Sequence, residues 1–185
     1  MKEKFLNLFT LIFLGIFLFF VFDVIAKDVP KPARKLAKVA EFNKKFSGNT
    51  FAIDGDSLKV GGKEVRLAGI DAPEYSQTCF NAKNKEYACG QASREFLIKL
   101  AGEKEVVCFY AQMDKYNRFL SKCSVGKVSI NEEIIKNGMA VIYSFTAPDL
   151  KMEAFEAQAK KKKLGIWQGK FQLPKDYRKS HPRVK

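Results

Sequence analysis

The stretch Ile53–Glu74, IDGDSLKVGGKEVRLAGIDAPE, constrains the fold of this chain more than any other. Asp54-Gly55 is a reverse-turn signal. Beyond it Leu58 and Val60 alternate with Ser57 and Lys59, and Val65 and Leu67 alternate with Glu64 and Arg66. This is the period of two expected of half-buried strands. Gly61-Gly62 between them suits a tight hairpin connection. Ala72-Pro73 then forces an extended exit, because the residue before proline is pushed out of the helical region. A hairpin followed by a loop gathers Asp56, Arg66, Asp71 and Glu74 at one end of a small sheet.

The chemistry of that group is specific. Carboxylates are hard oxygen ligands that suit Ca²⁺ or Mg²⁺ and do not suit zinc or copper. Asp56 and Asp71 alone leave the remaining positions to backbone carbonyls, waters and a substrate phosphate. Arg66, and Arg118 from a later turn, are able to grip phosphate oxygens bidentately and stabilise charge that grows in a transition state. Glu74 is the candidate to activate a water, since the sole histidine is His181 near the end. The set describes metal-assisted hydrolysis of a phosphodiester. The charge of the chain agrees: 33 Lys+Arg against 20 Asp+Glu leave a net +13, which favours polyanionic partners, either nucleic acid or an anionic membrane face.

Residues 1–26 read as a targeting segment. Lys2 and Lys4 precede an apolar run from Leu8 to Phe22 broken only by Thr10, and Val24-Ile25-Ala26 makes a small-residue cleavage site. The same segment is also long enough, over residues 5–22, to anchor the chain in a thin membrane. Signal peptide or anchor, the expectation is an extracytoplasmic domain: secreted, periplasmic, or tethered and facing outward. Four cysteines, Cys79, Cys89, Cys108 and Cys123, suit such a compartment as two disulfides. Three pairings are possible, and spacing favours Cys79–Cys89 and Cys108–Cys123. A zinc site lacks any Cys-x-x-Cys and any nearby histidine.

Residues 27–48 read as a basic linker punctuated by Pro30 and Pro32. The folded domain is expected over residues 49–169, and residues 170–185 as a basic tail. Tyr75–Tyr87 reads as a loop. Ala92, Phe96, Leu97 and Leu100 mark a helix over Gln91–Ala101 that ends at Gly102. Strands follow at Glu105–Tyr110 and Phe119–Val125 around the turn Asp114–Arg118. Further helices are expected over Ile130–Asn137 and Leu150–Lys163, and the lysine run Lys160–Lys163 complements the C-terminal end of the last helix dipole. These elements predict a mainly-β α+β unit or a small closed barrel.

The blocks DGDS, VRLAGIDAPE, DKYNR, NEEIIKNGMA and AKKKKLGIW, in that order from Thr50 to Trp167, resemble the staphylococcal nuclease-like family, the thermonucleases. The tail GKFQLPKDYR and the four cysteines resemble those of its exported bacterial members. The resemblance implies a five-stranded OB-fold barrel with three helices. It also implies a Ca²⁺-dependent endonuclease that cleaves DNA and RNA to 3′-phosphates; the expected state is a monomer with no obligate protein partner. By the same resemblance, Asp56 and Asp71 match the calcium carboxylates, Ala72 the position that lends a backbone carbonyl, and Arg66, Glu74 and Arg118 the catalytic groups. Ser57 replaces a threonine and keeps the hydroxyl. Asn117 replaces a glycine, and asparagine tolerates a left-handed backbone. Tyr116 and Tyr143 stand for the nucleotide-stacking tyrosines, with Lys115 beside them as a nucleic-acid contact. The alternative is a non-hydrolytic OB-fold nucleic-acid-binding module at the cell surface, against which the complete acid-and-arginine set argues.

Overall fold

In a computed structural model, which describes residues 41–143 and 149–182, the hairpin forms where the alternation places it. Strand β3 (Ser57–Val60) pairs antiparallel with β4 (Lys63–Leu67), setting Ser57 opposite Arg66. Gly61 and Gly62 turn the chain at φ +54° and +81°, values that a side chain would resist. Residues 1–26, the apolar run 5–22 and the linker up to residue 40 lie outside the described residues. Contacts part the chain after Leu36, and the fold concerns the unit Ala37–Lys185. Among the described residues, no helix is long and apolar enough to cross a membrane.

The hairpin sits in a seven-stranded sheet ordered β1-β8-β9-β4-β3-β2, with β10 (Val128–Ser129) attached to β9. Its remaining strands are β1 (Lys44–Gly48), β2 (Thr50–Ala52), β8 (Val106–Met113) and β9 (Phe119–Val125). Most neighbours are antiparallel, but β4 and β9 run parallel, with Arg66 beside Leu120. The outermost strands β1 and β2 are consecutive in the chain, separated only by Asn49, so the sheet must curl until its two edges approach. No ladder joins β1 to β2 among the described residues, so the expected five-stranded closed barrel is a curled sheet of more strands. The difference arises at Asn49, where one run of chain divides into two strands with different partners.

Residues 44–48 are therefore part of the sheet, although they read as linker. Phe46 explains this: its ring packs 5.2 Å from Phe119 and 5.7 Å from Tyr110. Three aromatic rings on one surface outweigh the polar composition around them. Among the described residues there are four α-helices, not three. Helix α1 (Cys89–Ala101) buries Ser93, Leu97 and Ala101, the i, i+4 stripe of an amphipathic helix. Helix α2 (Ile130–Lys136) starts at Ser129, whose hydroxyl accepts from the Glu132 N–H, and helix α3 (Leu150–Lys162) starts at Asp149, which accepts from Met152. Helix α4 (Pro174–Ser180) forms in the basic tail, with Pro174 in its first turn. Leu58, Val60, Val65, Leu67, Ile70, Leu97, Ile130, Ile134 and Ile135 fill the core between sheet and helices.

Two short pairings finish the frame. β5 (Ile70–Asp71) pairs with β11 (Val141–Ile142), and β6 (Cys79–Phe80) with β7 (Glu86–Tyr87) inside the expected loop. Both disulfides take the pairing that spacing favours. Cys108 and Cys123 face each other directly across β8 and β9, and Cys79–Cys89 ties the loop after Glu74 to the start of α1. Buried Gln77 completes that loop. Its side chain accepts from the Glu74 N–H at 3.2 Å and donates to the Gln172 carbonyl at 2.7 Å. Its own N–H donates to the Glu74 carbonyl at 2.8 Å, and its carbonyl accepts from Gly90 at 3.1 Å. Buried Asn131 plays a similar part elsewhere, accepting from the Cys123 N–H and donating to the Ala68 and Ser121 carbonyls.

Replacing Cys108 and Cys123 together by serine should lower stability by about 3 kcal/mol, the chain-entropy value for a loop of this length. Gln77→Ala removes the partners of the Glu74 N–H and the Gln172 carbonyl and should cost about 1–2 kcal/mol. Urea denaturation of each variant measures both effects.

Candidate active site

Asp56 enters the site from the turn between β2 and β3, where its N–H is held by the Asp54 carboxylate at 3.1 Å. Asp71 is the last residue of β5, one short turn beyond β4. Both are almost wholly buried, at 2% and 0% exposure. Arg66 projects from β4 between them, donating Nη1 to Asp56 Oδ1 and Nη2 to Asp71 Oδ1 at 2.8 Å. The Ala72 N–H donates to Asp56 Oδ2 at 2.8 Å, and the Ser57 hydroxyl to Asp56 Oδ1 at 3.2 Å. The hairpin and the tight turn after it therefore bring Asp56, Ser57, Arg66, Asp71 and Ala72 together, as the sequence suggests.

Electrostatics follow from burial. Removal from water pushes the Asp56 carboxyl up to about 8, with Asp54 adding to the rise, while Arg66 and the Ala72 N–H pull the other way. Burial acts to lower the Arg66 value, but Asp56, Asp71 and Asp54 outweigh it and leave Arg66 raised and firmly charged. Two carboxylates thus face two guanidinium groups, Arg66 and Arg178. Each carboxylate oxygen offers two lone pairs. Among the described residues, the donors to Asp56 and Asp71 leave one lone pair on the Oδ2 atom of each. That fits a hard cation held by two single oxygens and completed by carbonyls and waters. No three His, Cys, Asp or Glu side chains converge as a fuller metal cluster among the described residues.

Glu74 lies three residues after Asp71, on the loop that Gln77 organises. Gly90 allows the start of α1 to press on this loop: a Cβ there would lie 1.8 Å from the Glu74 carbonyl oxygen. Glu74 joins Asp71 through Arg178, whose Nη1 donates at 2.9 Å to both Glu74 Oε1 and Asp71 Oδ1. Reading the sequence left Arg178 without a role. Its available signal was a helix start at Pro174 with basic residues four and five positions later, which places a helix but no partner.

Arg118 arrives by a different route. It immediately precedes β9, and the parallel pairing of β9 with β4 carries it to the start of β3, where Nη1 lies 3.4 Å from the Ser57 hydroxyl. Asp114 aims it, with Oδ2 accepting from Arg118 Nε at 2.9 Å and Nη2 at 2.7 Å. Asp114 Oδ1 accepts from the N–H groups of Tyr116 and Arg118. Burial acts to raise the Asp114 carboxyl, but these N–H donors and the guanidinium leave it lowered. Asn117 turns the chain at φ +63°, the left-handed conformation expected of it. Tyr116 is exposed at the tip, with the Lys115 ammonium 5.0 Å and the Arg118 guanidinium 5.4 Å from its ring centre. Tyr143 follows β11, and its N–H donates to the Gly69 carbonyl.

Comparison with known proteins assigns this arrangement to a family. Residues 64–169 match the family described as "Staphylococcal nuclease homologue". A "Succinoglycan biosynthesis protein ExoI" of Rhizobium meliloti is 33% identical over 123 residues, 65% of this chain and 63% of that protein. A "Probable endonuclease" of Pyricularia oryzae is 33% identical over 129 residues, 63% of this chain and 49% of that protein. An "Uncharacterized endonuclease" of Haemophilus influenzae is 36% identical over 119 residues, 62% of this chain and 61% of that protein. The chain thus spans between about half and just under two thirds of the length of these relatives. The family match covers more than half of the chain and contains Arg66, Asp71, Glu74 and Arg118, and the chain belongs to the staphylococcal nuclease homologue family.

Proposed function

We propose that this protein is a Ca²⁺-dependent nuclease that hydrolyses phosphodiester bonds of DNA and RNA and leaves 3′-phosphates. The observation that carries the reading is the convergence of buried Asp56 and Asp71 with Arg66, Glu74 and Arg118 at one end of the sheet. A module that only binds nucleic acid has no use for a glutamate joined through Arg178 to a buried carboxylate. Endonuclease names among the relatives support the same activity.

Asp56 and Asp71, with the Ala72 carbonyl, would hold the cation, which when bound supplies positive charge to the phosphate oxygens. The remaining work falls to the side chains. Arg66 and Arg118 donate N–H groups to the non-bridging oxygens, where charge builds as phosphorus becomes five-coordinate. Glu74 accepts a proton from the attacking water. The bond from phosphorus to the 5′ oxygen breaks, the 5′ oxygen gains a proton from solvent, and the phosphate stays on the 3′ side. Lys115, Tyr116 and Tyr143 hold the strand through its phosphates and bases, a sequence-tolerant mode that suits a chain of net charge +13. The two disulfides and the apolar leader support export, as a secreted, periplasmic or membrane-tethered monomer.

The test is cleavage of end-labelled single-stranded DNA and RNA by the full chain in calcium, magnesium or chelator. Cleavage should require calcium and stop in chelator; undiminished cleavage in chelator refutes the metal assignment. Tight, salt-sensitive binding with no product would point instead to a binding module. Glu74→Gln and Arg66→Ala should each lower kcat by roughly 10²-fold or more, as groups that act in the transition state. Asp114→Asn releases Arg118 and should lower kcat roughly 10-fold to 100-fold with the fold retained, measured by steady-state kinetics beside circular dichroism.

A further inference from the structure

A third guanidinium stands in the centre, and it comes from the end of the chain. Arg178 lies in the last turn of α4, outside residues 64–169 that match the family. Its Nη1 donates to Asp71 Oδ1 and to Glu74 Oε1, each at 2.9 Å, and its Nη2 donates to Asp71 Oδ2 at 3.0 Å. A planar fork across both oxygens of one carboxylate, with the same nitrogen on a second carboxylate, sets the orientation of the two acids relative to each other.

The tail that carries Arg178 is built onto the loop that carries Glu74. The Phe80 N–H donates to the Lys170 carbonyl at 2.8 Å, and Gln77 Nε2 donates to the Gln172 carbonyl at 2.7 Å. Pro174 is buried, and the Tyr177 hydroxyl donates to the Ser76 carbonyl at 3.3 Å. A Cβ on Gly169 would lie 2.1 Å from the Phe80 carbonyl oxygen, so glycine lets the tail lie directly on the loop. The Cys79–Cys89 bridge fastens this loop to α1. Arg178 is thus presented from a docked element and not from a free end.

On the nuclease reading above, we propose that Arg178 is a positioning residue of the active centre, holding Asp71 and Glu74 in one relative orientation and sharing Asp71 with the bound cation. Among the described residues, Arg178 and Arg66 use both lone pairs of Asp71 Oδ1 and one of Oδ2, leaving the last for the metal. A unit positive charge touching a metal carboxylate weakens cation binding, while the same contact steadies the base. Removing it therefore acts in opposite directions on the two properties.

The test compares the full chain with Arg178→Gln and Arg178→Lys by calorimetric titration with calcium chloride in the absence of nucleic acid, by steady-state cleavage and by thermal unfolding. Arg178→Gln should bind calcium roughly 30-fold more tightly, the Coulomb value for one unit charge about 4 Å from a divalent ion in water. Its kcat should fall roughly 10-fold to 100-fold with KM within about twofold. Arg178→Lys keeps the charge but not the fork, and should return calcium affinity to the wild-type value while recovering only part of kcat. It also preserves the comparison if the glutamine variant fails to fold. Calcium affinity and kcat that fall together with stability, or that do not change, overturn the proposal, and so does a higher kcat, which would mark the tail as an inhibitory plug. A wild-type chain that binds calcium but cuts neither DNA nor RNA refutes the nuclease reading instead, and the calorimetric comparison still decides whether Arg178 shares Asp71 with the cation.

Discussion

Two almost wholly buried carboxylates, Asp56 and Asp71, share the Arg66 guanidinium in this protein, and that contact, with Arg178 on Asp71, makes their burial tolerable. An isolated buried carboxylate is expensive, and two near each other also repel. Arg66 spans both with separate nitrogens, and backbone and hydroxyl donors take up further lone pairs of Asp56. Burial dominates at Asp56 and raises its carboxyl, while Arg66 and the Ala72 N–H oppose the rise. A core that fully satisfied these acids would be more stable and would have no place for a cation. The site is poised between the two conditions.

Around that cluster the scaffold performs two separate tasks. The parallel pairing of β4 with β9 delivers Arg118 to the hydroxyl of Ser57, while Asp114 keeps its guanidinium from swinging into solvent. On the other side, Gln77, Gly90 and the Cys79–Cys89 bridge hold the Glu74 loop against α1 and the tail. Glutamate and arginine thus approach from independently braced elements. Relative placement of reacting groups within a fraction of an ångström requires such bracing, since unsupported side chains drift by more.

Much of this was legible in the sequence wherever cause and effect lie close along the chain. Alternation at Leu58, Val60, Val65 and Leu67 with glycines between specifies the hairpin, and Asp56 and Arg66 ride on it. Ser129 and Asp149 announce their helices as caps. Cys108 and Cys123 straddle the Asp114–Arg118 turn symmetrically, so cross-strand pairing follows from the hairpin itself, with a bulge near Ala111 absorbing the register shift. The misreadings have a common origin. Lys44–Gly48 looks like linker because its neighbours are lysines, and only the rings of Tyr110 and Phe119 reveal Phe46 as a strand residue. Asp114 shows as a turn former, but its choice of Arg118 as partner depends on what lies across the turn.

What the sequence by itself determined is the local frame and the chemical identity of most of the site: a hairpin bearing acids and an arginine, helices with their caps, and a cysteine pattern with one favoured pairing. Tertiary structure alone decided which distant groups complete it. Arg178 is 107 residues from Asp71, and Gln77 binds a carbonyl 95 residues away. Hydrogen bonds act over about 3 Å and carry no trace of chain separation. A basic tail and a bridge between two acids are therefore the same string of residues until the fold brings the guanidinium to its carboxylates.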